Sequence, residues 1–341
     1  MKSKLDICIV GCGSIGQRHL KVFSKTAGVR CSVCEPREEV LEKLKTEFPV
    51  KDVFLSPEDI DCSKFDAAVI CTPAHLHVPI AARCLDAGCH VLSEKPLSVS
   101  LDGVEGLLET SRRKGLTVGV AFIYRFFPFL VKVKELIEEG AIGELHIMDT
   151  SLGEYYPGVR PDFRTTYFSR REMGGGVILD ILSHVENYYE WLAGSPKEVG
   201  CMYSTIGQFG LETEDTVTFN ASYGNNLLGN AVISVMQNDK YWRSRFVGSE
   251  RTLQLNMNYL KTGLEVVVKP EIKLIDKQQN EEVISFEPME RDLPYQMQAE
   301  DFVDAVRGKG TPRTTLEEGI ETLKTVLKAK ESYDKKLIIP S

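Results

Sequence analysis

The stretch LDICIVGCGSIG, residues 5–16, decides the fold of this chain. Its first six residues form an apolar run typical of a buried strand, and Gly11, Gly13 and Gly16 follow with the spacing G-x-G-x-x-G. When this spacing follows a strand and opens a helix, it is typical of a dinucleotide-binding loop. Gly11 then allows the tight turn, Gly13 lets a pyrophosphate approach the backbone, and Gly16 lets the helix pack closely.

The residues after this loop complete a candidate cofactor site. Ser14 and Ile15 open the helix, whose N-terminus favours negative charge. Glu35 ends the next predicted strand, roughly 20 positions after Gly16, where an acid would bind the ribose hydroxyls. We therefore expect NAD, because an acid there repels the 2′-phosphate of NADP. Arg37 lies two residues further on and leaves NADP open as an alternative.

Strands that alternate with helices over residues 1–121 predict an α/β Rossmann domain, in which a doubly wound parallel sheet is covered on both faces. The predicted strands are 5–10, 30–34, 53–54, 66–71, 89–92 and 116–121, and the predicted helices are 14–27, 37–48, 77–87 and 101–114.

Residues 122–341 change to segments that alternate apolar and polar positions, which predict an α+β domain with a large, mostly antiparallel open sheet. An open sheet leaves one face to be covered, and a partner subunit is one way to cover it. The C-terminal helices could instead pack back on the first domain. The predicted helices are 130–139, 177–192, 295–307 and 315–333, and the predicted strands are 145–152, 198–204, 216–222, 227–236, 244–247, 252–255, 264–268, 272–275 and 282–286, with a loop over 153–171.

The composition restricts the class of protein further. The 341 residues are 43% hydrophobic and 26% charged, and no apolar run approaches the ~18–20 residues of a membrane helix. A net charge of −8 argues against nucleic acid as a partner. Eight of the nine cysteines precede residue 90, several in strand-like runs, which predicts buried thiols and a reducing, cytoplasmic compartment. Cys31 and Cys34 have CxxC spacing, but strand positions i and i+3 face opposite sides, so a redox or metal role is the less favoured alternative.

Lys95 lies in SEKP, residues 93–96, directly after the fifth predicted strand. Ligands of doubly wound sheets bind beyond the carboxyl ends of the strands, so this lysine can reach both a nicotinamide ring and a substrate hydroxyl. A solvated lysine in a turn is the alternative. Thr72, Pro73 and His77 follow the fourth strand and are expected to border the nicotinamide half of the cofactor.

Asp180 and His184 are four residues apart on a predicted helix that follows three glycines, so they share one helix face. The surrounding positions are mostly apolar, and burying an acid with an imidazole costs free energy unless they meet partners or a ligand. A structural pair is the alternative. No third ligand is near in sequence, and zinc requires three or four, so no metal is expected.

Aromatic and arginine side chains cluster at two further places. Tyr124 and Arg125 follow the last strand of the first half. The long loop of the second half contains Tyr155, Tyr156, Arg160, Arg164 and Tyr167, of which we single out Tyr156, Arg164 and Tyr167. Aromatic faces and guanidinium groups suit a sugar-like or acidic ligand, so we expect these residues to bind substrate. An ordinary polar surface loop is the alternative.

Together, the segments GCGSIG, ICTPAHLH, SEKP and GGGVILDILSH resemble the Gfo/Idh/MocA family of glucose–fructose oxidoreductase, inositol dehydrogenase and their relatives, over essentially the whole chain. The resemblance implies a Rossmann domain and then a domain whose open sheet pairs subunits into homodimers or homotetramers. It implies that Lys95, Asp180 and His184 are the catalytic group and that Glu94 belongs to the Glu-Lys-Pro signature beside the cofactor. Two positions depart from the family pattern: Asn187, often an aspartate, and Leu182, often a glycine.

The activity that the resemblance implies is hydride transfer between nicotinamide and a secondary alcohol of a sugar, cyclitol, or amino or nucleotide sugar. His184 would touch the reacting hydroxyl, Asp180 would orient it and Lys95 would hold the charge, with the immediate proton acceptor left open between Lys95 and His184. Two other functions occur among relatives: an NAD-dependent glycosidase that uses transient oxidation, and a ligand-sensing regulator without catalysis. The presence of all three residues argues against the regulator.

Overall fold

The computed structural model describes residues 4–207, 209–262 and 265–337. The chain divides into two compact units. The first unit comprises Met1–Phe126 and Asp292–Leu323, and the second comprises Phe127–Arg291 and Lys324–Ser341. The boundary therefore falls five residues beyond the expected 121, and the chain returns to the first unit at Asp292.

The helices and strands of the described residues follow the predicted order, except that the end of a strand and a short helix, Tyr156–Val159, lie in the expected loop 153–171. In chain order, the helices are α1 (Ser14–Lys25), α2 (Glu38–Glu47), α3 (His77–Asp86), α4 (Val104–Lys114), α5 (Pro128–Glu138), α6 (Tyr156–Val159), α7 (Ser183–Ala193), α8 (Leu293–Val306) and α9 (Leu316–Asp334). The strands are β1 (Leu5–Val10), β2 (Val29–Cys34), β3 (Val50–Phe54), β4 (Ala67–Ile70), β5 (His90–Ser93), β6 (Val118–Val120), β7 (Leu145–Tyr155), β8 (Glu198–Ser204), β9 (Thr216–Gly224), β10 (Leu227–Ser234), β11 (Met236–Gly248), β12 (Arg251–Thr262), β13 (Glu265–Asp276) and β14 (Glu281–Ser285). No helix in the described ranges is both long and apolar enough to cross a membrane.

The sheet of the first unit is parallel and has the strand order β3-β2-β1-β4-β5-β6, which confirms the predicted doubly wound fold. Its register aligns the ends of four strands. Val10 pairs with both Cys34 and Ile70, and Ile70 pairs with Ser93. The loops after β1, β2, β4 and β5 therefore leave the sheet from one row, which brings the predicted cofactor residues of this unit to a common edge.

Helix α8 belongs to the first unit because its apolar side chains pack into the core of that unit. Ala299, Phe302 and Val303 are buried in the same cluster as Ile7 of β1. The rings of Phe302 and Phe23 of α1 meet edge-on, with centroids 6.4 Å apart. Burial of this face explains why α8 belongs to the first unit, as the alternative for the C-terminal helices allowed.

The second unit contains a sheet with the order β14-β13-β12-β11-β7-β10-β9-β8, mostly antiparallel as predicted, with β7 and β10 parallel. The two predicted strands 264–268 and 272–275 are one strand, β13, although position 264 lies outside the described residues. Pro270 lies between the two segments, and proline cannot donate to a ladder. It nevertheless pairs in register with Met257 of β12, so tertiary pairing overrides the local signal.

One face of this sheet is covered by α7, and the other carries exposed apolar side chains. Tyr223 of β9 donates to the carboxylate of Glu186, and Tyr189 donates to the carbonyl of Asn230, so α7 lies against β9 and β10. The opposite face exposes four large apolar side chains, which we call the apolar sheet face: Ile147, Met202, Leu228 and Val232. Leu228 pairs directly with Ile147, and Thr218 of β9 pairs with both Val232 and Met202.

Candidate active site

The glycine loop of the first unit has the geometry that a dinucleotide requires. Gly11 has φ = 91°, and a Cβ on it would lie 2.9 Å from backbone atoms of Cys71 and Thr72. A Cβ on Gly16 would lie 1.9 Å from the carbonyl oxygen of Gly11, so neither position accepts a side chain. A Cβ on Gly13 would meet nothing within 4 Å, so the backbone there is open to a ligand.

Helix α1 begins at Ser14, which is exposed, and Ile15 follows half-buried. No side chain caps the helix at Gly13. The first N–H groups of a helix lack partners within it, and together with the helix dipole they favour an anion. The loop and the helix start therefore fit the pyrophosphate of a dinucleotide.

Glu35 directly follows β2 as a buried, ionised carboxylate. Oε2 accepts from the backbone N–H of Cys12 at 2.8 Å, and Oε1 accepts from Nε of Arg37 at 2.6 Å. Burial raises the pKa of Glu35, but the hydrogen bonds from Arg37 and Cys12 outweigh burial and hold the pKa below its usual value. The Arg37 side chain is 53% exposed, so this charged pair lies at the surface of the site.

The loop after β4 contains one polar group that suits a ligand and one that serves the fold. The hydroxyl oxygen of Thr72 is buried, and no hydrogen-bond partner for it exists among the described residues. Pro73 precedes a short 3-10 turn, Ala74–Leu76. The ring of His77 is buried and lies within hydrogen-bond distance of two carbonyl oxygens, with Nε2 2.7 Å from that of Thr72 and Nδ1 2.9 Å from that of Pro96. These contacts favour a structural role for His77 over the expected cofactor contact.

The pKa of His77 is below its usual value. Burial lowers it, and the two carbonyl contacts oppose burial without overcoming it. A neutral imidazole has one N–H donor, so only one of the two carbonyl oxygens receives a hydrogen bond at a time.

Lys95 lies half-buried in a turn that is fixed through its neighbour, Glu94. The backbone N–H of Glu94 donates to the carbonyl oxygen of Ile70 at 2.8 Å, and its Oε2 accepts from the N–H of Lys95 at 3.0 Å. Its Oε1 lies 2.8 Å from Nε2 of His19 on α1. The peptide bond between Lys95 and Pro96 is cis. The Glu94 side chain thus fixes the turn that contains Lys95. The sequence predicted only a contact with the cofactor for Glu94.

Of the two residues expected to bind substrate near the end of the first half, Arg125 is committed to packing. Its buried guanidinium donates to Glu318 at 2.6 Å and to the carbonyl oxygen of Arg313 at 3.1 Å. Both partners belong to the segment Asp292–Leu323, whose packing on the first unit was the alternative expected for the C-terminal helices. Tyr124 is half-buried beside it. These contacts favour a structural role for Arg125.

In the second unit, Asp180 and His184 lie on one continuous helical segment that changes type between them. Asp180 lies in a π-helical turn, Ile178–Leu182, and His184 is the second residue of α7. π-Helical turns within α-helices occur frequently at functional sites. Asp180 is buried, and His184 is half-buried. Leu182 and Asn187, the two departures from the family pattern, are both fully buried.

The carboxylate of Asp180 receives hydrogen bonds from two of the predicted substrate residues. The phenol of Tyr167 donates to Oδ1 at 2.9 Å, and that of Tyr156 lies 3.4 Å from Oδ2. Burial and the charge of Asp180 raise the pKa of both phenols, which keeps them protonated as donors. Arg160 lies over the ring of Tyr156, 5.2 Å from its centroid.

Arg164, predicted to bind substrate, stacks on two aromatic rings, Phe163 of its own loop and Phe209 of the connection between β8 and β9. Its guanidinium lies 4.9 Å from the centroid of Phe209 and 5.6 Å from that of Phe163. This stacking favours a packing role. Arg160, which lies in the same loop but was not among the residues singled out, is the arginine beside the Asp180 cluster. Its alternation with aromatic residues was the same as that of Arg164, so the sequence contained no signal to choose between them.

The cysteines lie in the core. All nine are free and buried. Burial raises the pKa of Cys31 to about 12, and the same holds for Cys34, so both are protonated thiols. Within the described part of the chain, no three histidine, cysteine, aspartate or glutamate residues are grouped to hold a metal ion.

The strand order, the glycine loop and the acid after β2 define a dinucleotide-binding α/β protein with an appended α+β unit. The chain belongs to the Gfo/Idh/MocA family: residues 5–122 match the model described as an oxidoreductase family with an NAD-binding Rossmann fold, and residues 130–254 match a C-terminal domain of the same family.

Several named dehydrogenases are similar in sequence to part of this chain. It is 26% identical over 198 residues to a myo-inositol 2-dehydrogenase of Thermotoga maritima, covering 57% of this chain and 56% of that protein. It is 28% identical over 216 residues to a levoglucosan dehydrogenase of Pseudarthrobacter phenanthrenivorans, covering 59% and 54%. The matched region thus spans about half the length of these relatives.

The whole fold is shared with a scyllo-inositol dehydrogenase of Lactobacillus casei, whose structure contains NAD(H) and scyllo-inositol. The TM-score is 0.80, the identity is 19%, and the alignment covers 98% of each chain. At this identity, the likeness shows the fold alone.

Proposed function

We propose that this protein is an NAD-dependent oxidoreductase that transfers hydride between nicotinamide and a secondary alcohol of a sugar or cyclitol. The observation that supports this most strongly is the aligned row of strand ends in the first unit, from which the glycine loop, Glu35, Thr72 and the Lys95 turn all leave. Relatives named for inositol and levoglucosan support the substrate class.

The cofactor-binding residues each have a separate task in this proposal. Gly11, Gly13 and the start of α1 would hold the pyrophosphate, and Glu35 would accept from the ribose hydroxyls. The buried Thr72 hydroxyl would donate to or accept from the nicotinamide half, because it has no partner among the described residues. When bound, NAD supplies the ring that accepts or returns the hydride.

We assign the proton of the substrate hydroxyl to Lys95 and His184. A lysine amine titrates near ~10.4 in water, so it holds a proton readily and accepts one at neutral pH only with help from its surroundings. The Asp180 carboxylate accepts from the phenol of Tyr167 and lies 3.4 Å from that of Tyr156, so it would favour a cation in its vicinity and orient the imidazole one helical turn away. The three residues would act in one reaction, as the resemblance to the family implies.

We also propose that a second copy of this chain covers the apolar sheet face. Leu228 and Met202 are 56% and 53% exposed there, although they lie on a broad sheet whose other face is buried. A contiguous exposed apolar patch of this kind is typical of an interface. The assembly would be a symmetric homodimer or homotetramer.

The experiment that tests the activity is a panel of cyclitols, sugars and nucleotide sugars incubated with NAD or NADP, with nicotinamide absorbance as the readout. The proposal expects alcohol-dependent reduction of NAD by at least one cyclitol or sugar. Release of an aglycone from a glycoside without net change in absorbance would indicate the glycosidase in its place. Ligand binding with no turnover of any member would indicate a regulator.

A further inference from the structure

Two buried histidines of the first unit contact the turn that contains Lys95, and the proposed reaction assigns no task to either. His77 is the first residue of α3, and its ring lies between the loop after β4 and the turn after β5. Its two nitrogens are 2.7 Å from the carbonyl oxygen of Thr72 and 2.9 Å from that of Pro96. Since Pro96 directly follows Lys95, this ring fixes the carboxyl side of the lysine turn.

His19 contacts the other side of the same turn. It lies on α1, three residues after Gly16, and only 1% of it is exposed. Its Nε2 lies 2.8 Å from Oε1 of Glu94, whose second oxygen accepts from the backbone N–H of Lys95 at 3.0 Å. The edge of the Tyr295 ring packs at its side, with centroids 6.0 Å apart. The glycine-loop helix is therefore joined to the lysine backbone through one buried side-chain pair.

Both contacts are more specific than packing requires. A buried polar group costs free energy unless it is hydrogen-bonded, and an apolar side chain of similar size would fill either space without that cost. Nδ1 of His19 is buried and has no hydrogen-bond partner among the described residues, so the surroundings of the ring satisfy only one of its two nitrogens. The contact that it does make is directed at the residue preceding Lys95.

We propose that His19 and His77 are positioning residues for Lys95, holding its turn from opposite sides so that the amine is presented at the edge of the sheet where the cofactor loops end. This inference rests on the proposed function of Lys95. Neither histidine would touch substrate. Each acts through the backbone on either side of the lysine, and the effect of losing either should therefore require Lys95 to be present.

The test is a double-mutant cycle in the full-length protein. His19→Phe and His77→Phe are each made in the natural chain and in the Lys95→Ala variant, and turnover of an alcohol from the panel is measured beside the Kd for NAD. Displacing a catalytic group by about 1 Å can cost ~10²-fold, so we expect each histidine variant to lose about 10- to 100-fold in turnover. The Kd for NAD should stay within about threefold, and in the Lys95→Ala background the same changes should alter turnover by less than about threefold.

Two further variants separate positioning from damage to the fold. His19→Gln retains an N–H that can donate to Glu94, so it should keep turnover within about threefold of the natural chain even if the Phe variant does not fold. His90→Phe is the matched control. His90 lies at the other end of β5 and accepts from the N–H of Thr117 at 2.8 Å, so its loss should leave turnover unchanged.

Equal losses with and without Lys95, or an inactive but folded His19→Gln, would overturn the inference and indicate general destabilisation. A Lys95→Ala variant as active as the natural chain would instead overturn the proposed function itself. Activity lost in Lys95→Ala but kept in both histidine variants would overturn the inference alone.

Discussion

The phenol of Tyr167 donates a 2.9 Å hydrogen bond to Oδ1 of Asp180. The two residues are 13 positions apart, one in the long loop and the other in the π-helical turn. The loop is therefore attached to the candidate catalytic carboxylate through a side chain that was predicted to meet substrate. A residue that holds Asp180 can influence turnover whether or not it touches substrate itself.

Tyr167→Phe should lower turnover by about 10-fold and the free energy of unfolding by about 1 kcal/mol, because it leaves a buried carboxylate with one donor fewer. Steady-state kinetics and urea unfolding measure the two effects. Tyr155→Phe, a change to a 40% exposed residue of the preceding strand, is the control and should alter neither. Unchanged kinetics in Tyr167→Phe would show that the hydrogen bond has no catalytic consequence.

Glu35→Gln should weaken NAD binding by about 10-fold and narrow the preference for NAD over NADP. The substitution removes the charge that would repel a 2′-phosphate, and it frees Arg37 from its 2.6 Å contact. Calorimetric Kd values for both dinucleotides measure this, with Glu39→Gln on α2 as the control. A variant that keeps the full preference for NAD would show that specificity resides elsewhere.

The cysteines should be inert at neutral pH. With a pKa of about 12, less than about one Cys31 thiol in 10⁴ is ionised at pH 7, and the thiolate is the reactive form. Iodoacetamide should therefore label the folded protein at Cys31 and Cys34 far more slowly than the urea-unfolded protein, and turnover should survive the treatment. Rapid labelling of either residue in the folded state would restore the redox alternative for the CxxC pair.

Leu228→Glu should dissociate the assembly formed through the apolar sheet face without unfolding the chain. A charge placed among Ile147, Val232 and their symmetry copies would be buried unpaired, which costs several kcal/mol. Sedimentation velocity compares this variant with Leu55→Glu, which changes another exposed leucine, 47% exposed and in the first unit. If both variants sediment like the natural chain, the apolar sheet face is not the interface.

Sequence reasoning recovered the features that depend on local pattern. The glycine spacing, the strand alternation and the acid after β2 all follow from periodicities that a parallel sheet imposes, so the Rossmann fold was predictable. The return of α8 was not, because its Phe302 contacts residues some 280 positions earlier, and no local signal specifies that partner.

The sequence predicted the kind of site better than the roles of its individual residues. The sequence identified Lys95, Asp180 and His184 as candidates, but it also predicted substrate binding by Arg125 and Arg164, whose contacts favour packing roles. The difference lies in tertiary partners such as Glu318 and Phe209. His19 escaped notice for the converse reason: a lone histidine on an amphipathic helix has no pattern that reveals a contact with Glu94, 75 residues away.

In the proposed reaction, Lys95 takes part in alcohol-dependent hydride transfer to bound NAD. The most direct measurement compares the natural chain with Lys95→Ala for NAD affinity and for turnover of the best alcohol in the panel. The Lys95→Ala variant should bind NAD with a Kd within about threefold of the natural value. Its turnover should fall by ~10²-fold or more, the usual scale for loss of an acid–base group. Turnover equal to that of the natural chain would contradict this role of Lys95.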